Sequence, residues 1–136
     1  MPDLRARLAF VDALLDYQID VVAASRVVAE GTAVLVDTRR QESWDHGHVL
    51  GALHLPSTAP DALPRDRTLL VYGWGPGCNG ATVAARDLLA AGFDVREMIG
   101  GYEYWARNGF PVVRGGEVVR MTPDPLVTAE TGPEKD

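Results

Sequence analysis

The chain has 136 residues, 46% hydrophobic and 24% charged, with a formal net charge of −6. That length and composition fit one globular core, too short for two comfortable ones. The acidic balance excludes a bulk phosphate-neutralising nucleic-acid binder, and the single cysteine, Cys78, excludes an intramolecular disulfide and a cysteine-rich metal site.

The N-terminal residues mix charged and apolar side chains, unlike the apolar core of a secretion signal. No window is long and apolar enough to span a membrane. A reducing cytoplasm is therefore the expected compartment, with no membrane and no nucleic acid as partners.

Leu4, Leu8, Val11 and Leu15 fall on one helical face, so residues 3–17 are expected to form an amphipathic helix. Residues 1–19 thus read as an N-terminal extension. The helix is free to pack on its own domain or to mediate a homodimer, and the sequence leaves both open. Asp20 is placed to cap a second short helix that stops at Gly31. AVLVD, residues 33–37, has the continuous apolar character of a buried parallel strand. Residues 38–51 are polar, punctuated by Gly47 and Gly51. Residues 52–55 form a candidate short strand ended by Pro56, and residues 56–67, with three prolines, read as a surface connection.

LLVY, residues 69–72, is a second buried-type strand. After it, Gly73-Trp74-Gly75-Pro76-Gly77-Cys78-Asn79-Gly80 leads into a helix whose core face is Ala81, Ala84, Ala85, Leu88 and Leu89, with Gly92 as its stop. Residues 95–98 give a third strand, and Tyr102–Arg107 a short helix. Residues 112–119 give a hairpin turning at Gly115-Gly116. From Thr122 three prolines, a glycine and several charges predict a frayed tail over residues 121–136.

Strands and helices alternate between residue 20 and about residue 110. This predicts an α/β fold with a small open parallel sheet, right-handed crossovers and helices on both faces, the main domain covering residues 20–120. In such sheets ligands bind beyond the carboxyl ends of the strands. Two ends carry polar chemistry: Asp37-Thr38-Arg39 and the loop from Gly73 to Gly80. In that loop, glycines let successive N–H groups converge, and the following helix adds positive partial charge. Such a cradle favours an anion, including a thiolate or persulfide. Against this, a lone cysteine is often a small buried hydrophobe, and glycines also make ordinary tight turns.

LVDTRRQESWDHGHVLGALHLP, residues 35–56, resembles the first signature of the rhodanese family. Its marks here are Asp37, Arg39, Gly47, His48, Val49, Gly51 and Ala52. The later blocks follow in order: LLVY, the loop, the alanine-rich helix, Ala91-Gly92-Phe93, Gly100-Gly101, Trp105 and Gly109-Phe110-Pro111. The resemblance covers about residues 20–113. It implies a sulfurtransferase. A loop cysteine attacks a sulfane donor such as thiosulfate and becomes a persulfide, and an acceptor thiol or cyanide takes the sulfur, with no cofactor.

The loop departs from the family pattern. The family's nucleophile follows the strand directly, and that position is Gly73. The loop is longer by about two residues and contains no arginine. It is similar to a two-cysteine variant, Tyr-Cys-x-Gly-Pro-x-Cys-Asn, whose first cysteine is here glycine. The resemblance therefore makes Cys78 the candidate nucleophile, held by N–H groups from Asn79 to Thr82. Gly73, Trp74, Gly75, Gly77, Asn79, Gly80, Ala81 and Thr82 become candidate substrate contacts, together with Asp37 and Arg39. The expected partners are a small sulfur-containing anion and an acceptor thiol. The alternative is a non-catalytic binding or regulatory module that has lost its nucleophile at Gly73.

Other readings stay open beside these. Asp37 and Arg39 are equally placed for a structural ion pair. Trp74 is a pocket wall or a core plug. His46, His48 and His54 are close in sequence, but without a soft fourth ligand they do not make a convincing metal site, and His48 is expected to hold its loop to the sheet. Tyr102 and Trp105 are expected to pack the last helix, and Arg86 to be solvated. Phosphatase or arsenate-reductase chemistry requires an arginine closing the loop around the anion, and Cys78 lacks one at that spacing.

Overall fold

The computed structural model describes residues 1–127. Helix α1 (Leu4–Tyr17) is capped by the Asp3 carboxylate, which accepts from the N–H groups of Arg5 and Ala6. It feeds a two-residue strand, β1 (Gln18–Ile19). Helix α2 (Val21–Ala29) starts at Asp20, whose carboxylate accepts from Ala23 N–H at 2.8 Å, as the sequence leads one to expect. It stops at Gly31, with φ of 81°.

Strand β2 (Ala33–Asp37) follows, then a region read from the sequence only as polar. It contains a short helix, α3 (Gln41–His46), and strand β3 (His48–Val49), before β4 (Leu53–His54). Two single 3₁₀ turns lead into β5 (Thr68–Tyr72), the loop and α4 (Gly80–Ala90). Then come β6 (Val95–Met98), α5 (Gly101–Arg107), β7 (Val112–Arg114) and β8 (Glu117–Val119).

Five strands form one parallel sheet in the order β1-β6-β5-β2-β4, matching the predicted α/β class. The hairpin predicted at Gly115-Gly116 is β7–β8, with positive φ at both glycines, as a tight hairpin turn requires. It belongs to a second, antiparallel sheet, β3-β7-β8, which the sequence reading does not contain. β3 has two residues, too few to show a period of two.

Side chains alternate across the parallel sheet. Leu35, Leu70 and Tyr72 face α2 and α5, with Trp105 and Val112 in the same cluster. Val36, Leu69 and Val71 face α4, with Ala81, Ala85 and Leu88. Trp105 fills the first core as expected, its ring N–H donating to the Pro111 carbonyl at 2.9 Å.

Residues 121–127, read from the sequence as the start of a frayed tail, run back along α5. Asp124 N–H donates to the Arg107 carbonyl at 2.8 Å, and the Arg107 guanidinium pairs with the Asp124 carboxylate at 3.0 Å. The rest of the expected tail, residues 128–136, lies outside the described residues.

Candidate active site

The carboxyl ends of β2 and β5 are adjacent, with Asp37 in register with Tyr72. At the β2 end, Asp37 is fully buried and accepts from four donors. These are the Arg39 N–H at 2.8 Å, Arg39 Nε at 3.0 Å, Arg39 Nη2 at 2.7 Å and the Tyr72 hydroxyl at 2.6 Å. Burial, with the Asp37 carboxylate alongside, holds the Tyr72 hydroxyl protonated well above its ordinary range, so it stays a donor. Arg39 also donates to the Gly47 carbonyl at 2.6 Å. Its guanidinium lies 4.4 Å from the Tyr102 ring centre and 4.8 Å from that of Trp74. Those ring faces give it cation–π contact.

Asp37 and Arg39 are thus candidate substrate contacts that line neither of the clefts at the β5 end. Both are buried beneath Trp74 and paired with each other, the structural alternative of the sequence reading, and Arg39 Nη1 is buried there without a hydrogen-bond partner among the described residues.

Two of the histidines are likewise engaged. His48 and His54 both stack on Trp44, at ring-centre distances of 3.6 and 4.7 Å. His48 Nδ1 lies 3.0 Å from the Trp44 carbonyl, and His54 Nε2 lies 2.7 Å from that of Arg39. Among the described residues no cluster of three metal-ligating side chains occurs.

The β5 end is open. Two clefts, of about 510 and 330 Å³, share Gly75, Pro76, Gly77 and Cys78 on their walls. Cys78 is an exposed free thiol. Its N–H donates to the Gly75 carbonyl at 3.2 Å, which turns the loop. Its Sγ accepts from Gly80 N–H at 3.4 Å, at the first turn of α4. Of the N–H groups expected from Asn79 to Thr82, Gly80 is the one directed at sulfur.

Gly73, Asn79, Ala81 and Thr82 line the smaller cleft, and Trp74 with Gly75 and Gly77 the larger. Trp74 is 46% exposed and meets Tyr102 edge-on at 6.1 Å. It is a cleft wall that also covers Arg39. Thr82 donates from its hydroxyl to the Glu97 carboxylate at 2.7 Å, which makes the smaller cleft acidic on that side.

The loop is fixed from below. The Gly73 and Trp74 carbonyls accept from the N–H groups of Tyr102 and Glu103, each at 2.9 Å, at the start of α5. This close approach is why position 101 is glycine. A Cβ there would lie 2.6 Å from the Gly73 carbonyl oxygen, and the backbone holds φ at +62°.

Position 73 is different. A Cβ on Gly73 would meet Cys78 Sγ at 3.6 Å and Ala81 Cβ at 3.9 Å, both ordinary van der Waals contacts. The late cysteine therefore folds back to the place where a side chain at the usual nucleophile position would begin.

Three charged groups on the larger cleft were not foreseen: Glu103, Arg107 and Arg114. Arg107 is paired with Asp124. Arg114, at the end of β7, donates from Nε to the Tyr102 hydroxyl at 3.2 Å and is otherwise exposed. No linear spacing links it to Cys78, because it arrives through the second sheet. Tyr102, read from the sequence as packing alone, is buried but lies on this cleft as the anchor of Arg114. Arg86 points to solvent on α4, its side chain 79% exposed.

The fold recurs among known proteins. Among solved structures, the BH2092 protein from Bacillus halodurans superposes with a TM-score of 0.73 at 26% identity, covering 98% of each chain. A protein from Lactobacillus plantarum gives 0.70 at 26% identity, over 82% of this chain and 99% of that one. The HTH-type transcriptional regulator Rv0324 of Mycobacterium tuberculosis is 34% identical over 92 residues, 65% of this chain. The matched part spans only 41% of that regulator's length. The family model for the rhodanese-like domain matches residues 23–108. Since that match begins inside α2, runs through α5 and takes in every strand of the parallel sheet except the edge strand β1, the chain belongs to the family of rhodanese-like domains.

Proposed function

We propose that this chain is a sulfurtransferase in which Cys78, not position 73, carries the sulfur. The observation behind this reading is the 3.6 Å separation between Cys78 Sγ and the Cβ position at Gly73. The sulfur sits beside the point from which the usual nucleophile would project, in a cleft open to solvent, with one N–H already aimed at it.

The chemistry balances without a cofactor. The Cys78 thiolate attacks the outer sulfur of thiosulfate. A new S–S bond forms, the donor's S–S bond breaks and sulfite leaves with its electron pair, so the protein holds an anionic persulfide. An acceptor thiolate then attacks the outer persulfide sulfur, and the Cys78 thiolate is released. Arg114 is the cation available to draw the donor to the larger cleft, which also carries Glu103 and the Asp124-paired Arg107.

The test is intact mass after incubation with thiosulfate. Wild type is expected to gain one sulfur atom, cyanide is expected to remove it as thiocyanate, and Cys78→Ser is expected to do neither. A wild-type chain that never gains sulfur defeats the proposal.

A second reading rests on Gly73 itself and on the likeness to a transcriptional regulator: a rhodanese-like binding module without turnover. It requires an inert Cys78 and restored sulfur transfer in Gly73→Cys, whose new side chain the loop can seat.

A further inference from the structure

Helix α1 has no buried residue along its 14 positions. Its apolar stripe stands in solvent, with Leu4 71%, Leu8 62%, Val11 46% and Leu15 69% exposed. Anchoring is confined to its C-terminal end. Tyr17 packs against the α4-side core, and the Arg96 guanidinium donates to the Tyr17 and Gln18 carbonyls at 3.3 and 2.9 Å. A helix of this length draws its stability in water from packing an apolar face, and α1 leaves its Leu4-Leu8-Val11-Leu15 stripe unpacked on its own domain.

We infer that this stripe is the interface of a homodimer, in which α1 of one copy lies antiparallel to α1 of the other. The stripe is self-complementary. Its steps are four, three and four residues, the same read in either direction. A two-fold axis between the helices therefore sets Leu4 against Leu15 of the second copy and Leu8 against Val11, in the heptad spacing of a coiled-coil seam.

Charge agrees with the antiparallel direction. Arg5 and Asp12, seven residues apart, border the stripe on one edge. Inversion brings Arg5 of each copy opposite Asp12 of the other. In a parallel pairing this edge would face the other edge of the second helix, so Arg5 would not meet Asp12 of the other copy. Charge also disfavours a membrane surface as the cover. With Asp3, the helix region carries three acidic residues against two basic ones, and the whole chain is −6. An anionic bilayer selects the opposite balance.

Four large apolar side chains per copy bury on the order of 1,000 Å² in all, below the ~1,200 Å² of standard stable interfaces, so a weak, concentration-dependent dimer is expected.

Sedimentation of the full chain over a hundredfold concentration range tests this, with circular dichroism to confirm folding. Wild type is expected to pass from monomer to dimer, and Leu8→Glu to stay monomeric. The decisive arm uses charge. Arg5→Glu alone and Asp12→Lys alone each place like charges opposite one another and are expected to be monomeric, whereas their mixture is expected to form a one-to-one heterodimer. A wild-type chain that is monomeric throughout, whether α1 is free in solution or binds lipid vesicles, overturns the inference. So does a dimer unchanged by Leu8→Glu, or a mixture that fails to associate.

Discussion

The ends of β2 and β5 sit side by side in one sheet, and both carry polar residues of the kind that mark a functional site. One is sealed and the other is open. At β2 every oxygen of Asp37 has a donor, and the charge of Arg39 is absorbed by that carboxylate, a carbonyl and two aromatic faces. At β5 the loop is open, and its thiol, Cys78, has a single weak contact with Gly80 N–H. A charged pair at a strand end is thus no indication of chemistry by itself. What separates the two is access: the Asp37–Arg39 pair is buried, the unpartnered Arg39 Nη1 included, whereas Cys78 is exposed.

The sharpest way to break the comparison is to reopen the sealed end. Asp37→Ala leaves the Arg39 guanidinium buried without its counter-ion and removes the acceptor of the Tyr72 hydroxyl. Removing one partner of a buried pair costs about 3–5 kcal/mol. Urea denaturation is expected to show a loss of that size. A loss below about 1 kcal/mol, the range of exposed pairs, means that the β2 end is not held by this pair.

A smaller effect tests whether the open end is held from beneath. Gly101→Ala forces a Cβ against the Gly73 carbonyl at a positive φ, and is expected to cost about 1–3 kcal/mol. It is also expected to slow persulfide formation by displacing the loop. Gly77→Ala is the control. Its Cβ meets nothing within 4 Å and its φ is not positive, so stability is expected to change by less than about 0.5 kcal/mol. Equal losses in the two variants mean that the α5 contact does not set the loop.

The same contrast explains what could be read from the chain. Continuous apolar runs give away β2 and β5, because strands buried on both faces carry little polar interruption. The glycines and Cys78 mark the loop because they cluster between Gly73 and Gly80. β1, α3 and β3 leave no signal, being two, six and two residues long. The roles of Asp37 and Arg39 were undecided in sequence, since the same pair serves a ligand or itself, and only Tyr72 and Gly47 settle which. Arg114 was hidden for a different reason. Its place on the cleft depends on β3 pairing with β7, a contact between segments more than sixty residues apart in the chain.

Arg114 supplies the mildest test, since it brings to the open end the kind of side chain that Arg39 keeps buried at the other. Being exposed, it can be changed with little loss of stability, within about 0.5 kcal/mol. If it draws the dianionic donor without touching the breaking bond, its loss weakens binding and leaves the chemical step nearly unchanged. Arg114→Gln is then expected to raise KM for thiosulfate about tenfold, the size of one charge-assisted hydrogen bond, with kcat within a factor of about three. Arg114→Lys keeps the charge and is expected to recover most of that loss. Tyr102→Phe removes the hydroxyl that anchors Nε but leaves the cation on the cleft, so its KM is expected to fall between wild type and Arg114→Gln. A fall in kcat at unchanged KM in Arg114→Gln would instead put the guanidinium on the departing sulfite, where negative charge develops as the S–S bond breaks.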